Sequence, residues 1–149
     1  MAIFDPSDFL SLAQSLGATQ NEASQRTAIS RAYYSCHLTA RDQLYGVDGV
    51  GLTNTVKKRL ARGKVGDHTA VILAVAQNPH LGMGRAKNLA DELGQLKALR
   101  ETADYIRDSG SSAASNIFTK YSVSDWSSLT RAAMGLASNV LPKLRRLRP

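Results

Sequence analysis

Apolar residues recur at helical spacing along most of this chain, and the breaks between the repeats fall at glycine, proline and polar clusters. Asp5-Pro6 suits a helix start, with Asp5 capping and Pro6 at the first helical position, and Gly17 closes that helix. A longer helix is predicted over residues 21 to 44, ending at Tyr45-Gly46, with Ile29, Tyr33, Cys36, Ala40 and Leu44 as its apolar stripe. GVDGVGL then reads as a loop, residues 53 to 61 as a short basic helix and RGKVGD as a second loop. Asp67 looks like the cap of a helix through Gln77, which Asn78-Pro79 ends, and LGMG is a flexible link. The clearest pattern spans residues 85 to 108, where Leu89, Leu93, Leu96, Leu99, Ala103 and Ile106 follow one another at three or four residues. SGSSAAS breaks it. A last helix is predicted over residues 125 to 147, capped by Ser124 or Asp125, with Trp126, Leu129, Ala133, Leu136, Val140 and Leu144 inward and a bend at Pro142. No strand pattern, internal repeat or domain boundary interrupts this order. The expectation is one all-α domain over residues 1 to 149, a bundle of four to five helices with residues 143 to 149 as a basic tail.

Composition changes the picture in two respects. At 149 residues and 43% hydrophobic content the chain suits one domain with its own core. Its longest apolar run, Ala70 to Ala76, is too short to span a bilayer, and the first residues lack a signal-peptide pattern. With Cys36 as the lone cysteine, on the apolar stripe, the expected setting is a reducing cytoplasm and the expected thiol is buried and inert. The net charge of +7 points to a polyanionic partner, nucleic acid or a nucleotide first, or else serves solubility alone. Two basic clusters stand out: Lys57, Lys58, Arg59, Arg62 and Lys64, and Lys143, Arg145, Arg146 and Arg148. Each suits non-specific phosphate contact, or else a solvated face or frayed end.

The motifs that would announce a cofactor are missing from the sequence. His37, His68 and His80 form no i, i+4 pair and no metal-ligand spacing, RGKVGD is not a P-loop, and LGMGRA has no βαβ context. No serine-hydrolase elbow occurs. The expectation is therefore no metal and no cofactor. What stands out instead is residues 26 to 42, where Arg31, Tyr34 and His37 sit among alanines and serines. Polar groups so close to a core stripe need partners or a chemical role.

Two stretches resemble a known family, the HEPN domains of prokaryotes and higher eukaryotes. AISRAYYSCH is similar to that family's A-I-S-R-A-Y-Y-x-x-x-H helix, with two residues in place of three before its histidine, and LKALRETADY to its L-x-x-L-R-x-x-A-D-Y stretch, with His68 where relatives often carry a histidine. The likeness covers roughly residues 8 to 110. It implies a HEPN-like helical bundle, often dimeric, and for many members a metal-independent endoribonuclease acting as a toxin or antiphage effector. Its active-site pattern is an Arg and a His four to six residues apart, which Arg31 and His37 satisfy. Other members are non-catalytic accessory subunits that bind a nucleotidyltransferase or another effector protein, or bind nucleotides. Both remain alternatives for this chain.

The chemistry of the catalytic reading needs only a proton-transfer group and a cation. RNA's 2′-hydroxyl attacks its own phosphate, His37 serves as acid or base, and Arg31 neutralises the phosphorane oxygens. Helix geometry complicates this, because six residues place Arg31 and His37 about 120° apart, whereas Arg26 lies within about 20° of His37. Arg26 is thus a second phosphate-binding candidate, and Tyr34, Lys57, Lys58 and Arg59 are further substrate contacts. A buried ion pair between Arg31 and Asp104 is the structural alternative. Tyr33, Tyr34 and Tyr105 are expected in the core or an interface, and His68 at a helix start.

Overall fold

The computed structural model describes residues 4–46, 66–108 and 110–148, and among these the chain forms six helices and no strand. They are α1 (Ser7–Gly17), α2 (Glu22–Tyr45), α3 (Asp67–Ala76), α4 (Met83–Tyr105), α5 (Ser112–Lys120) and α6 (Trp126–Leu144). The expected loop GVDGVGL and the basic helix over residues 53 to 61 lie, apart from Gly46, outside the described residues. So do Lys57, Lys58, Arg59, Arg62 and Lys64.

Local chemistry sets most helix ends. Asn21 accepts from the Ser24 amide at 3.1 Å to start α2, and Asp125 accepts from the Ser128 amide at 2.7 Å to start α6. Gly46, at φ 76°, takes the chain out of α2 in a conformation that side chains resist. Asp5 accepts from the Ser7 amide at 2.9 Å, while Pro6 occupies the cap position rather than the first turn. The described residues alone hold six helices where four to five were expected, because α5 begins inside the segment read as a break. Ser111 caps it through the Ala114 amide at 3.2 Å, and Phe118 packs edge-on against Trp126 with ring centres 5.4 Å apart.

Helix α2 is the central element, packed against α1, α3, α4 and α6. Its stripe is buried as expected: Ile29, Tyr33, Cys36, Ala40 and Leu44 all lie in the core. Ala28 and Ala32, also fully buried, let neighbouring helices come close, since side-chain size sets the distance between helix axes. Gly17 has a similar role at the α1–α6 crossing, where a Cβ would stand 3.0 Å from Thr130 Cγ2. Leu89, Leu93, Leu96, Leu99 and Ala103 of α4 fill the opposite side, with Ile106 half-buried beyond the helix end. The basic C-terminal segment is not a frayed tail: Lys143 and Leu144 belong to α6, Leu147 is buried, and Asn78 Nδ2 donates to the Arg148 carbonyl at 2.7 Å. No described helix is long and apolar enough to cross a membrane.

Candidate functional site

The α2 surface that faces α3 and α4 carries Arg26, Ser30, Tyr34, His37 and Arg41, a run spaced by three or four residues and hence on one helical face. Against its C-terminal half stand Asp67 and His68, the first two residues of α3, and Arg100 of α4. The His37 and His68 rings lie with centres 4.2 Å apart. His37 Nε2 donates to Asp67 Oδ2 at 3.2 Å, and the Tyr33 hydroxyl shares a hydrogen bond with His68 Nδ1 at 2.6 Å. Tyr34 closes the other side, edge-on to His68 at 5.8 Å. The Arg100 guanidinium lies over both tyrosines, 5.6 Å from the Tyr33 ring centre and 5.7 Å from that of Tyr34.

Burial governs the protonation of this cluster. His37 is only 2% exposed, and desolvation drives its pKa down to about 4. The adjacent His68 pushes the same way, and the Asp67 carboxylate offsets only part of it. His68 is also lowered, first by burial and then by the positive charges of Arg100 and Lys97, against the pull of Asp67 and Glu101. Both rings are neutral at pH 7, so each has a nitrogen able to accept a proton. Burial raises the Tyr33 phenol far above its ordinary value, so it keeps its proton. The Tyr33–His68 bond therefore has two forms. With Tyr33 donating, His68 carries its proton on Nε2; with Nδ1–H donating, Nε2 has a free lone pair. Burial opposes the charge of Arg100, but Tyr34, Asp104 and Tyr105 outweigh it and hold the guanidinium protonated. Among the described residues, His37 Nδ1, Arg41 Nε and Arg100 Nε are buried without a hydrogen-bond partner.

The residues singled out from sequence divide on this geometry. His37 and Tyr34 are in the cluster. Arg31 is not, since its guanidinium lies over the Phe9 ring of α1 at 5.1 Å. The six-residue separation turns it away from His37 around the helix, and the chain alone does not form an Arg31–His37 pair. The suggested Arg31–Asp104 ion pair is likewise not formed. Asp104 instead meets Arg100 at 3.4 Å, one turn earlier on its own helix, and Ser30 Oγ at 3.4 Å. Arg26 shares the face of His37, but eleven residues at 1.5 Å rise put it about 16 Å away. There it caps the end of α4, donating through Nε to the Ala103 carbonyl at 2.7 Å and through a second nitrogen to the Ile106 carbonyl, while stacked over Trp126 at 4.6 Å. Those donors are engaged by the end of α4. Tyr105, expected in the core or an interface, is 71% exposed. Asp67 does not cap α3 either, because its carboxylate turns to His37.

His68 was expected chiefly as a helix-start residue, at a position where the resemblance also puts a histidine, and Arg100 was not singled out. The available signals were the histidine after Asp67 and the arginine four residues before Asp104 in LRETADY, which places both on one face of α4. Cys36 behaves as the sequence suggests, buried and with its thiol pushed up to about 12 by desolvation. Among the described residues no group of three His, Cys, Asp or Glu side chains is placed to hold a metal ion.

Two open grooves lie away from the histidines. One, of about 590 Å³, runs between the start of α2 and the end of α4 past Glu22, Arg26, Thr27 and Asp104. The other, of about 420 Å³, has Leu81 and Leu89 at its floor and Arg85, Lys143 and Arg146 at its rim, together with Glu92. The C-terminal cations Lys143 and Arg146 thus share a face with Arg85, and Lys143 is partly neutralised by Glu92 at 3.4 Å. Compared with known protein families, with curated proteins and with solved structures, the chain finds no match.

Proposed function

We propose that this chain is a HEPN-like domain that cleaves RNA without a metal ion, using the histidine cluster between α2 and α3. One observation carries the reading. His37, drawn from the resemblance, stands 4.2 Å ring to ring from a second histidine that is itself bonded to a buried tyrosine. A neutral imidazole with an oriented tautomer is the group that metal-free transesterification requires. His68, the less buried of the two, takes the proton from the 2′-hydroxyl at Nε2 while Nδ1–H donates to Tyr33. The 2′-oxygen then bonds to phosphorus and the 5′-oxygen leaves, giving a 2′,3′-cyclic phosphate. The imidazolium that His68 has become then gives its proton to that leaving oxygen, in the cleft of the homodimer implied by the resemblance. His37 stays behind the reacting atoms, held by Asp67, as a positioning residue. The basic charge of the chain supplies the general attraction for RNA. A role as a toxin or antiphage effector in the cytoplasm is the biological setting that fits this activity.

The position of Arg31 over Phe9 favours a second reading. In it the domain is a non-catalytic partner of a nucleotidyltransferase or another effector, or a nucleotide-binding bundle. End-labelled structured RNA incubated in EDTA separates the two. Cleavage leaving cyclic phosphate, abolished in folded His68→Ala and weakened in folded His37→Gln, supports the nuclease. No cleavage by the wild-type chain refutes it and leaves the accessory reading.

A further inference from the structure

The groove between α4 and α6 combines an apolar floor with cations that the fold leaves unused. Along α4, Arg85, Leu89 and Glu92 recur at four and three residues and so share one face, and Lys143 and Arg146 do the same across the end of α6. Docking of the two helices turns these faces toward each other, with Leu81 and Leu89 beneath, around a volume of about 420 Å³. Glu92 is the one carboxylate among the described lining residues, and it is already engaged. Lys143 Nζ donates to it at 3.4 Å and Asn139 Nδ2 at 3.3 Å. Among the described residues the exposed Arg85 and Arg146 side chains have neither a hydrogen bond nor an ion pair. The wall that carries Arg146 is held in place, since Leu147 is 2% exposed and the Arg148 carbonyl accepts from Asn78 at 2.7 Å. Met83, between Leu81 and Arg85 in the chain, adds an apolar side chain that is 88% exposed.

We infer that this groove docks an acidic protein segment, one that sets an aliphatic side chain on the leucine floor and carboxylates against Arg85 and Arg146. A guanidinium meets a carboxylate through two parallel N–H donors, and one left unpaired by its own fold does so without first breaking a contact. Lys143 is available to join them, because its side chain is 47% exposed and an exposed pair with Glu92 is worth little. The apolar floor selects a protein over a nucleic acid. A phosphate backbone has no aliphatic group for Leu81 and Leu89 to cover, and Glu92 repels it. No aromatic ring is among the described lining residues to stack a base. A second copy of this chain is also a poor occupant, since each carries a net charge of +7 and the two repel. The occupant is therefore a separate, acidic chain. None of the histidine cluster lines the groove, so the inference stands apart from the RNA-cleaving reading.

The test uses a fluorescein-labelled synthetic peptide of repeated Glu-Glu-Leu-Leu, with a Glu-Glu-Ser-Ser peptide and a single-stranded RNA of equal charge as comparisons. Binding to the full chain is followed by fluorescence anisotropy at physiological salt. The contact is located from the methyl NMR resonances of Leu81, Met83 and Leu89. Saturable binding of the leucine peptide that shifts these methyls is expected. Arg85→Glu combined with Arg146→Glu, both exposed positions, should weaken it about tenfold or more, from two charge contacts turned repulsive. Lys120→Glu combined with Arg131→Glu changes the net charge equally, away from the groove, and should alter binding by less than about twofold. The serine peptide should bind about tenfold or more weakly, the worth of one buried leucine. No saturable methyl shift up to millimolar leucine peptide overturns the site. Equal losses in the two double variants, or equal affinity of the two peptides, overturn it as well, by reducing the contact to general charge attraction. RNA that displaces the peptide and shifts the same methyls more strongly assigns the groove to nucleic acid and overturns the acidic-protein occupant.

Discussion

His37 makes the stability of this domain depend on pH in a window where few other groups act. In the unfolded chain its imidazole titrates near 6.5, and in the fold near 4, so the folded protein binds fewer protons between those values. Its contribution is fully present above about pH 6.5 and is lost as pH falls toward 4. A gap of about 2.5 units at about 1.36 kcal/mol each amounts to roughly 3 kcal/mol, of which about 2 are gone by pH 5. That is a large part of the 5–15 kcal/mol typical of a domain. The Asp5 and Asp125 carboxylates are held below 3.8 by the Ser7 and Ser128 contacts, so they lose their effect only at lower pH and do not blur the window. His68, lowered in the same direction, adds to the slope. The assay is urea unfolding followed by circular dichroism at pH 7, 6 and 5, with the slope against urea checked for constancy. His37→Gln should be less stable at pH 7, having lost the Asp67 contact, but should show a much flatter pH dependence. A wild-type midpoint equal at pH 7 and pH 5 would refute the burial argument. So would a His37→Gln protein that weakens as steeply as the wild type.

Two further perturbations test how the site is framed. Arg26→Ala strips donors from the Ala103 and Ile106 carbonyls and removes the cation over Trp126. A loss of about 2–3 kcal/mol in urea unfolding is expected, against under about 1 kcal/mol for Arg31→Ala. Equal small losses would return Arg26 to the list of free cations. Gly17→Ala gains helix propensity but sets a methyl 3.0 Å from Thr130 Cγ2, and Thr130 is fixed by its hydroxyl on the Gln25 carbonyl at 3.1 Å. Crowding at such a contact costs about 1–3 kcal/mol, so the melting temperature should fall and Thr130→Ser should restore it. A rise in melting temperature for Gly17→Ala alone would show that the crossing has room.

Apolar periodicity placed α2, α4 and α6, because a stripe every three or four positions has one stable use, burial against other helices, and end signals such as Asp5-Pro6, Gly17 and Asn78-Pro79 placed α1 and α3. It also located the core face of α2, from Ile29 to Leu44. Helix α5 escaped it because SGSSAAS has the composition of a linker, and its helix is secured by one serine cap and by Phe118 on Trp126. Within the candidate site, His37 and Tyr34 were legible as polar residues close to a core stripe. Which arginine joins them was not. Along the sequence Arg26, Arg31 and Arg100 are equivalent cations, and rotation about α2 only separates Arg31 from His37. Packing decided their fates: α4 ends beside Arg26 and takes its donors, Phe9 of α1 receives Arg31, and the middle of α4 brings Arg100 over Tyr33 and Tyr34. Likewise Asp67 is 30 residues from His37 along the chain and His68 is 35 from Tyr33, and only the docking of α3 sets them together. The sequence alone determined that these helices form and which faces they bury, since both follow from contacts between near neighbours. The tertiary structure alone decided which charges meet, because that depends on the crossings of separate helices and on which carbonyls and rings reach each cation first.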